Sequence, residues 1–168
     1  MQPTNQLTLL ESQLRVLRAL QNNKVTFLVI GGQAIAAYLP TRTTQDLDIL
    51  LSRSNSNAKK ATHALQANGW RSPAGLPLHH YLTQKNKKIE YPNCKELKEV
   101  DLLSSIDGVN FKEIFQRSKI ATFNNLNVRI PSVKDLIQMK QISVNFNTHH
   151  VKKNQDLQDI ADLTSLLE

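Results

Sequence analysis

Residues 27–51, FLVIGGQAIAAYLPTRTTQDLDILL, place an apolar strand, a glycine pair and a second strand bearing Asp46 and Asp48 in quick succession. A strand turns successive side chains to opposite faces, so Asp46, Asp48 and Leu50 are predicted to share one side and Leu47, Ile49 and Leu51 the other. The second side is core. Two carboxylates held that close beside an apolar strand repel each other and resist ionisation unless cations neutralise them. A divalent metal is the simplest neutraliser. The stretch therefore demands a fold in which a buried sheet delivers two acids to one place.

At 168 residues the chain can bury one ordinary core and is too short for two well-developed ones, so residues 1–168 are read as a single domain. No apolar run reaches the length needed to cross a bilayer, and the start MQPTNQLTLLESQ lacks the basic and apolar regions of a secretory signal. Cys94 is the one cysteine, with no disulfide partner and no second thiol for a zinc knuckle, which agrees with a reducing compartment. The expectation is a cytoplasmic protein with no membrane partner. Lys and Arg number 21 against 14 Asp and Glu, and this excess favours polyanions, nucleoside triphosphates and RNA alike. No alternation of basic and aromatic residues is visible, so a nucleic acid would be held mainly by its phosphates.

Leu7, Leu10, Leu14 and Leu17 recur at helical spacing and predict a helix over about 5–22. A strand follows at 26–30, then a short helix over 33–39 stopped by Pro40, then the strand carrying the acids. An Ala-rich helix is expected over 57–68, ending at Gly69, followed by a polar region around Pro73, Gly75 and Pro77 and a strand over 78–83. Residues 85–88 read as a basic turn, 99–103 as a strand carrying Asp101, 111–117 as a helix and 120–130 as a hairpin around Asn124-Asn125. Ser132 and Asp135 come close to a capping box for a helix running to about 143. Its apolar stripe, Val133, Leu136 and Ile137, continues onto Lys140, which aims a lysine inward or lets it snorkel to solvent. A last helix over 154–167 is expected to bury Leu157, Ile160, Ala161 and Leu167, with Asp156, Asp159 and Asp162 on other faces, after a mobile loop at 145–153. His79-His80 and His149-His150 offer no completed zinc spacing and are read as surface residues.

Gly31-Gly32 at a strand-to-helix turn lets backbone amides and a helix start approach an anionic phosphate. Neither GxGxxG nor GxxxxGK[ST] is present. With Asp101 on a neighbouring strand, Asp46 and Asp48 would form a three-carboxylate site for two Mg²⁺ ions, hard cations that share phosphate oxygens. Arg42 and Lys140 would meet the triphosphate, although Arg42 also fits a pairing with a surface acid. Such a site neutralises a leaving group and aligns a nucleophile with phosphorus, which is the chemistry of phosphoryl or nucleotidyl transfer.

These residues resemble the nucleotidyltransferase superfamily, whose mark is a glycine pair opening a helix, a DxD on the next strand and a third acid. The segments GGQAIAAYLPTRTTQDLDILL, VDLLSSIDGVNFKEIF and VRIPSVKDLIQMK look most like minimal bacterial enzymes related to abortive-infection toxins of the AbiEii type. The resemblance implies an α/β nucleotidyltransferase fold: a small mixed β-sheet flanked by helices, with a carboxy-terminal helical portion over 131–168. It implies that Asp46 and Asp48 bind both metals, that Asp101 completes the site and helps deprotonate the acceptor hydroxyl, and that Gly31, Gly32, Gln33, Arg42 and Lys140 meet the nucleotide. An NTP such as ATP would give up its NMP, with release of pyrophosphate, to an acceptor RNA such as tRNA or to a protein. The chain would then be the toxin of a toxin and antitoxin pair, with a cognate antitoxin as partner. Gln33, Tyr38 and Asn145 are candidates for base contacts.

The chain departs from that pattern near its carboxy terminus, where the basic and acidic segment, here Lys153, Asp156 and Asp159, comes late. Minimal antitoxin nucleotidyltransferases carry a GS pair and SDxDL, which Gly32 and TQDLD do not match. Two alternatives stay open. One is a nucleotidyltransferase of lincosamide or aminoglycoside antibiotics, which are similarly short; the other is a catalytically silent binding protein of the same fold.

Overall fold

The structure, a computed structural model of the chain, describes residues 1–3, 6–72, 76–91, 100–146 and 149–168. Cys94 and the polar stretch at 73–75 lie outside the described residues.

The centre is a four-stranded mixed sheet in the order β2 (Phe27–Ile30), β3 (Leu47–Leu51), β5 (Val100–Leu103), β4 (Lys88–Tyr91). β3 runs antiparallel to β2 and parallel to β5, and β4 runs antiparallel to β5. Leu47, Ile49 and Leu51 are buried in the main core, under α1 (Glu11–Asn22) and α3 (Asn55–Gln66), as their alternation predicts. The opposite face is covered as well. Leu50 packs there with Leu28, Ile30, Met139 and Ile114, the last from α5 (Phe111–Arg117). Asp48 is thus a polar residue on a face that is otherwise closed, and Asp46 falls just before the strand rather than on it.

A second sheet joins β1 (Gln6–Leu7), β6 (Lys119–Phe123) and β7 (Leu126–Ile130). β6 and β7 form the expected hairpin, with Asn124 and Asn125 both at positive φ, 46° and 64°. Asparagine tolerates that region better than most residues, which fits an Asn-Asn hairpin turn. Leu7 does not belong to the first helix: β1 pairs in parallel with β6, and α1 begins at Glu11.

Three other expectations change. Residues 78–83 form a helix, α4 (Leu78–Thr83), in place of a strand. Leu78 and Leu82, four apart, are both buried, a helical spacing, and the Pro77 carbonyl accepts from His80 and Tyr81 amides. The short helix after the glycine pair, α2 (Gly31–Ala36), starts at the pair itself and ends before Pro40. The carboxy-terminal helices α6 (Val133–Phe146) and α7 (His150–Ser165) are nearly contiguous, so most of the expected loop at 145–153 is helical. Residues 147–148 lie outside the described residues. No helix among the described residues is long and apolar enough to cross a membrane.

Asn57 fastens α3 to the sheet. Its side chain accepts from the Thr26 amide at 2.7 Å and donates to the carbonyls of Thr26 at 3.0 Å and Ser52 at 2.9 Å, holding the start of β2 to the end of β3. Asn57→Ala is expected to lower stability by about 1–3 kcal/mol, the usual penalty for buried groups left without partners. Urea unfolding measures it, and a loss under about 0.5 kcal/mol would mean the clamp is dispensable.

Candidate active site

The carboxylates are assembled by register. Asp48 on β3 lies opposite Ile30 on one side and Asp101 on the other, and Asp101 lies opposite Glu90 of β4. Asp48, Asp101 and Glu90 therefore form one row across three strands.

Gly31 closes the site from the end of β2. It adopts φ +64°, and a Cβ there would fall 2.1 Å from Asp48 Oδ2. Only glycine leaves room for that carboxylate and takes that backbone without strain. A Cβ on Gly32 would meet Thr44 Oγ1 at 2.6 Å and Thr44 Cβ at 2.8 Å, so the second glycine lets the 42–46 segment lie against α2. Gln33 donates to the Thr44 carbonyl at 3.3 Å, and Gln13 of α1 donates to the Gln45 carbonyl at 2.6 Å. Two side-chain amides thus hold the backbone that presents Asp46. Gln33 is buried in this work, and Tyr38 is buried with its hydroxyl on the Pro131 carbonyl at 2.9 Å. Burial, reinforced by Asp135, pushes the Tyr38 phenol up to about 12.

Burial pushes Asp48 up to about 6, and the charges of Asp101 and Asp46 push it the same way, opposed by Lys152 and Lys88. This is the frustration expected of clustered acids short of counter-charge. Asp101 is better served: Lys88 Nζ stands 2.7 Å from its Oδ2 and 3.2 Å from Glu90 Oε1. Burial alone would lower the Lys88 pKa, but hydrogen bonds and charge from Asp101 and Glu90 raise it.

Arg42 and Lys140, both expected at the triphosphate, are brought together by α7. Arg42 Nε donates to Asp159 Oδ1 at 2.8 Å, and Lys140 Nζ lies 2.6 Å from Asp156 Oδ1 and 2.8 Å from Asp159 Oδ2. Ser143 donates to Asp156 Oδ2 at 2.7 Å, and Arg42 Nη1 donates to the Thr43 carbonyl. Asp156 and Asp159 are each 1% exposed, whereas Leu157 is 48% exposed. The predicted face of α7 is therefore wrong: the acids face inward because buried cations await them, while Leu157, Ala161 and Leu167 are exposed. Burial would raise Asp159, but the hydrogen bonds and charges of Lys140 and Arg42 lower it.

Glu90 and Gln13 carry no signal of a site role in the sequence; Lys88, expected in a basic turn, instead opens β4, and Lys152, expected in a mobile loop, lies in α7. The short alternation KIEY ahead of a strand bearing an acid is a signal for a strand and not for a site. Asn145 is exposed at the end of α6. A cavity of about 560 Å³ opens at the carboxy ends of β3 and β5, lined by Arg53, Ser104, Ser105 and Lys112 among others. The carboxylates stand at the amino ends of the same strands, and their chemistry rather than the cavity marks the candidate active site. Among the described residues no three His, Cys, Asp or Glu side chains converge tightly enough to hold an ion. The donor set itself suits one: oxygen ligands, mutually repelling, on a closed face.

The fold is shared with solved nucleotidyltransferases. An antigenic nucleotidyltransferase-like protein from Paracoccidioides brasiliensis superimposes with a TM-score of 0.55 at 18% identity, over 92% of this chain and 75% of that one. The antibiotic-resistance factor ANT(2'')-Ia does so with a TM-score of 0.52 at 14% identity, over 93% of this chain and 89% of that one. No curated protein sequence matches the chain. Residues 2–168 match the model of a family described as "uncharacterised nucleotidyltransferase", and the chain belongs to that family.

Two outcomes follow from the charges. The folded state holds the Asp48 proton more tightly than the unfolded chain does, so this group's stabilising contribution is complete below about pH 4 and lost as pH rises through about 6. With EDTA present, Asp48→Asn should match wild type near the lower pH and exceed its stability by about 1–3 kcal/mol at neutral pH. An equal difference at both pH values, read by urea unfolding, would refute this. Lys140→Met, which leaves two buried carboxylates short of a cation, should destabilise by about 3 kcal/mol. A loss under about 1 kcal/mol in the same assay would show that Arg42 and Ser143 suffice.

Proposed function

We propose that this protein is a metal-dependent nucleotidyltransferase that moves an NMP from an NTP to an acceptor hydroxyl and releases pyrophosphate. The observation carrying this is the approach of Gly31 to Asp48 with Asp101 in register beside it. A backbone kept bare by glycine, next to two adjacent acids, is the arrangement a triphosphate and its cation require.

Asp46, Asp48 and Asp101 would hold Mg²⁺, which when bound supplies positive charge to the phosphate oxygens. The rest falls to the chain's own residues. Gly31 at the turn would admit the phosphates close to the start of α2, while Gly32, buried against Thr44, lets the segment that carries Asp46 lie beside it. Lys140 directs two of its three N–H donors at Asp156 and Asp159, and the third is left for a phosphate oxygen. Arg42, anchored through Nε by Asp159, keeps its guanidinium beside the segment carrying Asp46. The acceptor oxygen forms a bond to the α-phosphorus while the bond to the bridging oxygen breaks; Asp101 takes the hydroxyl proton and pyrophosphate departs.

The acceptor favoured by the net charge of +7 is RNA, with tRNA the natural candidate, and a protein acceptor is the variant of the same reading. The AbiEii resemblance supports a toxin role with a cognate antitoxin as partner. A second reading, transfer to an antibiotic, draws on the likeness to ANT(2'')-Ia. Incubation with Mg²⁺, each α-labelled NTP and total RNA or cell extract separates them. Label is expected in RNA with wild type and absent with Asp46→Ala/Asp48→Ala. Label in a protein band makes the acceptor protein, label only in an added aminoglycoside or lincosamide establishes the second reading, and transfer that survives the double substitution removes these aspartates from the chemistry.

A further inference from the structure

The sequence pattern alone expects two divalent ions on three aspartates. The structure adds a fourth carboxylate and a cation already in place. Glu90 stands directly across β4 and β5 from Asp101, and Lys88, two residues before it on the same face of β4, reaches along the strand to Glu90 and diagonally across to Asp101. Long side chains span such a diagonal, and here the ammonium is held between two oxygens of different strands.

From this geometry we infer that Lys88 is the resident cation of the second position, so that the site takes one divalent ion, at Asp46 and Asp48, while the Lys88 ammonium serves Asp101 and Glu90. The inference rests on the nucleotidyltransferase reading above and revises its metal set, in which Asp101 gives way to Asp46 and Asp48 alone. An ammonium 2.7 Å from Asp101 Oδ2 already supplies positive charge to that carboxylate, and a divalent ion brought onto the same oxygen would be repelled by it. Oδ1 of Asp101 would take the acceptor proton, and the hydrogen bond from Lys88 to Oδ2 fixes how the carboxylate is turned. Lys88 is in this sense a positioning residue.

The test reads the metals and not turnover. The full chain is loaded with Mn²⁺ and an NTP whose α–β bridge is methylene, using each of the four bases, and examined by electron paramagnetic resonance. Two Mn²⁺ ions clamped on shared oxygens, about 3.5–4 Å apart, give a coupled spectrum, whereas a lone ion gives an uncoupled sextet. Wild type and Lys88→Arg are expected to give the lone-ion spectrum, and Lys88→Met the coupled pair with a second bound Mn²⁺. Lys88 is half-exposed on an edge strand, so circular dichroism of both variants should match wild type. A coupled pair in wild type overturns the inference and leaves the metal-dependent reading intact. A lone ion in Lys88→Met also overturns it, because Lys88 is then not what keeps the second ion out. Absence of protein-bound Mn²⁺ in wild type overturns the metal-dependent reading itself, and the inference with it.

Discussion

A carboxylate oxygen of Asp48 occupies the space that any side chain at position 31 would need, and much of the architecture follows from that exclusion. The strand β2 must end in a residue free to turn at positive φ, the chain must start a helix at once, and β3 must return antiparallel so that Asp48 meets the turn. Once β3 is placed, parallel pairing with β5 puts Asp101 alongside. The acid is then both a wall of the turn and a member of the candidate site. Chemistry and backbone geometry cannot be varied separately here.

The carboxy-terminal helices are attached by a different principle. α7 carries little of an apolar stripe; besides Leu163, what it buries most fully is Asp156 and Asp159. These acids face Lys140 from α6 and Arg42 from the segment before β3, two positive and two negative groups in one neutral cluster. Such a cluster adds less net stability than leucines of similar volume would, because its charges must be desolvated, but it is far more particular about partners. It ties three separate elements at fixed points, the segment before β3, α6 and α7.

β2, β3, β5, α3, α5, the hairpin and the Ser132 start of α6 were legible because local signals agreed: alternation, an N-cap, turn residues at positive φ; β4 was not, its KIEY run being short and its first residue read as part of a basic turn. Asp46, Asp48 and Asp101 could be picked out because acids beside apolar strands are conspicuous. The misreadings share a cause in long-range contacts. Leu7 looked helical until β6, far along the chain, claimed it as a strand partner. Residues 78–83 form too short an apolar run for periodicity to decide, and their packing on α3 made them a helix. The acids of α7 looked solvated since nothing nearby in sequence marks Arg42 as their partner. The apolar stripe of α6 marks Lys140 as inward, yet its two carboxylate partners emerge only in space.

Arg42 and Asp159 are separated by 117 residues of chain. During synthesis at roughly 5–20 residues per second, several seconds must pass between the emergence of the arginine and that of its partner. Through that interval the glycine turn and the acidic strand can form, being neighbours in sequence, while Arg42 still lacks its anchor. A growing chain thus carries its acids long before its basic residues are fixed, and the finished arrangement is withheld until α7 has been made.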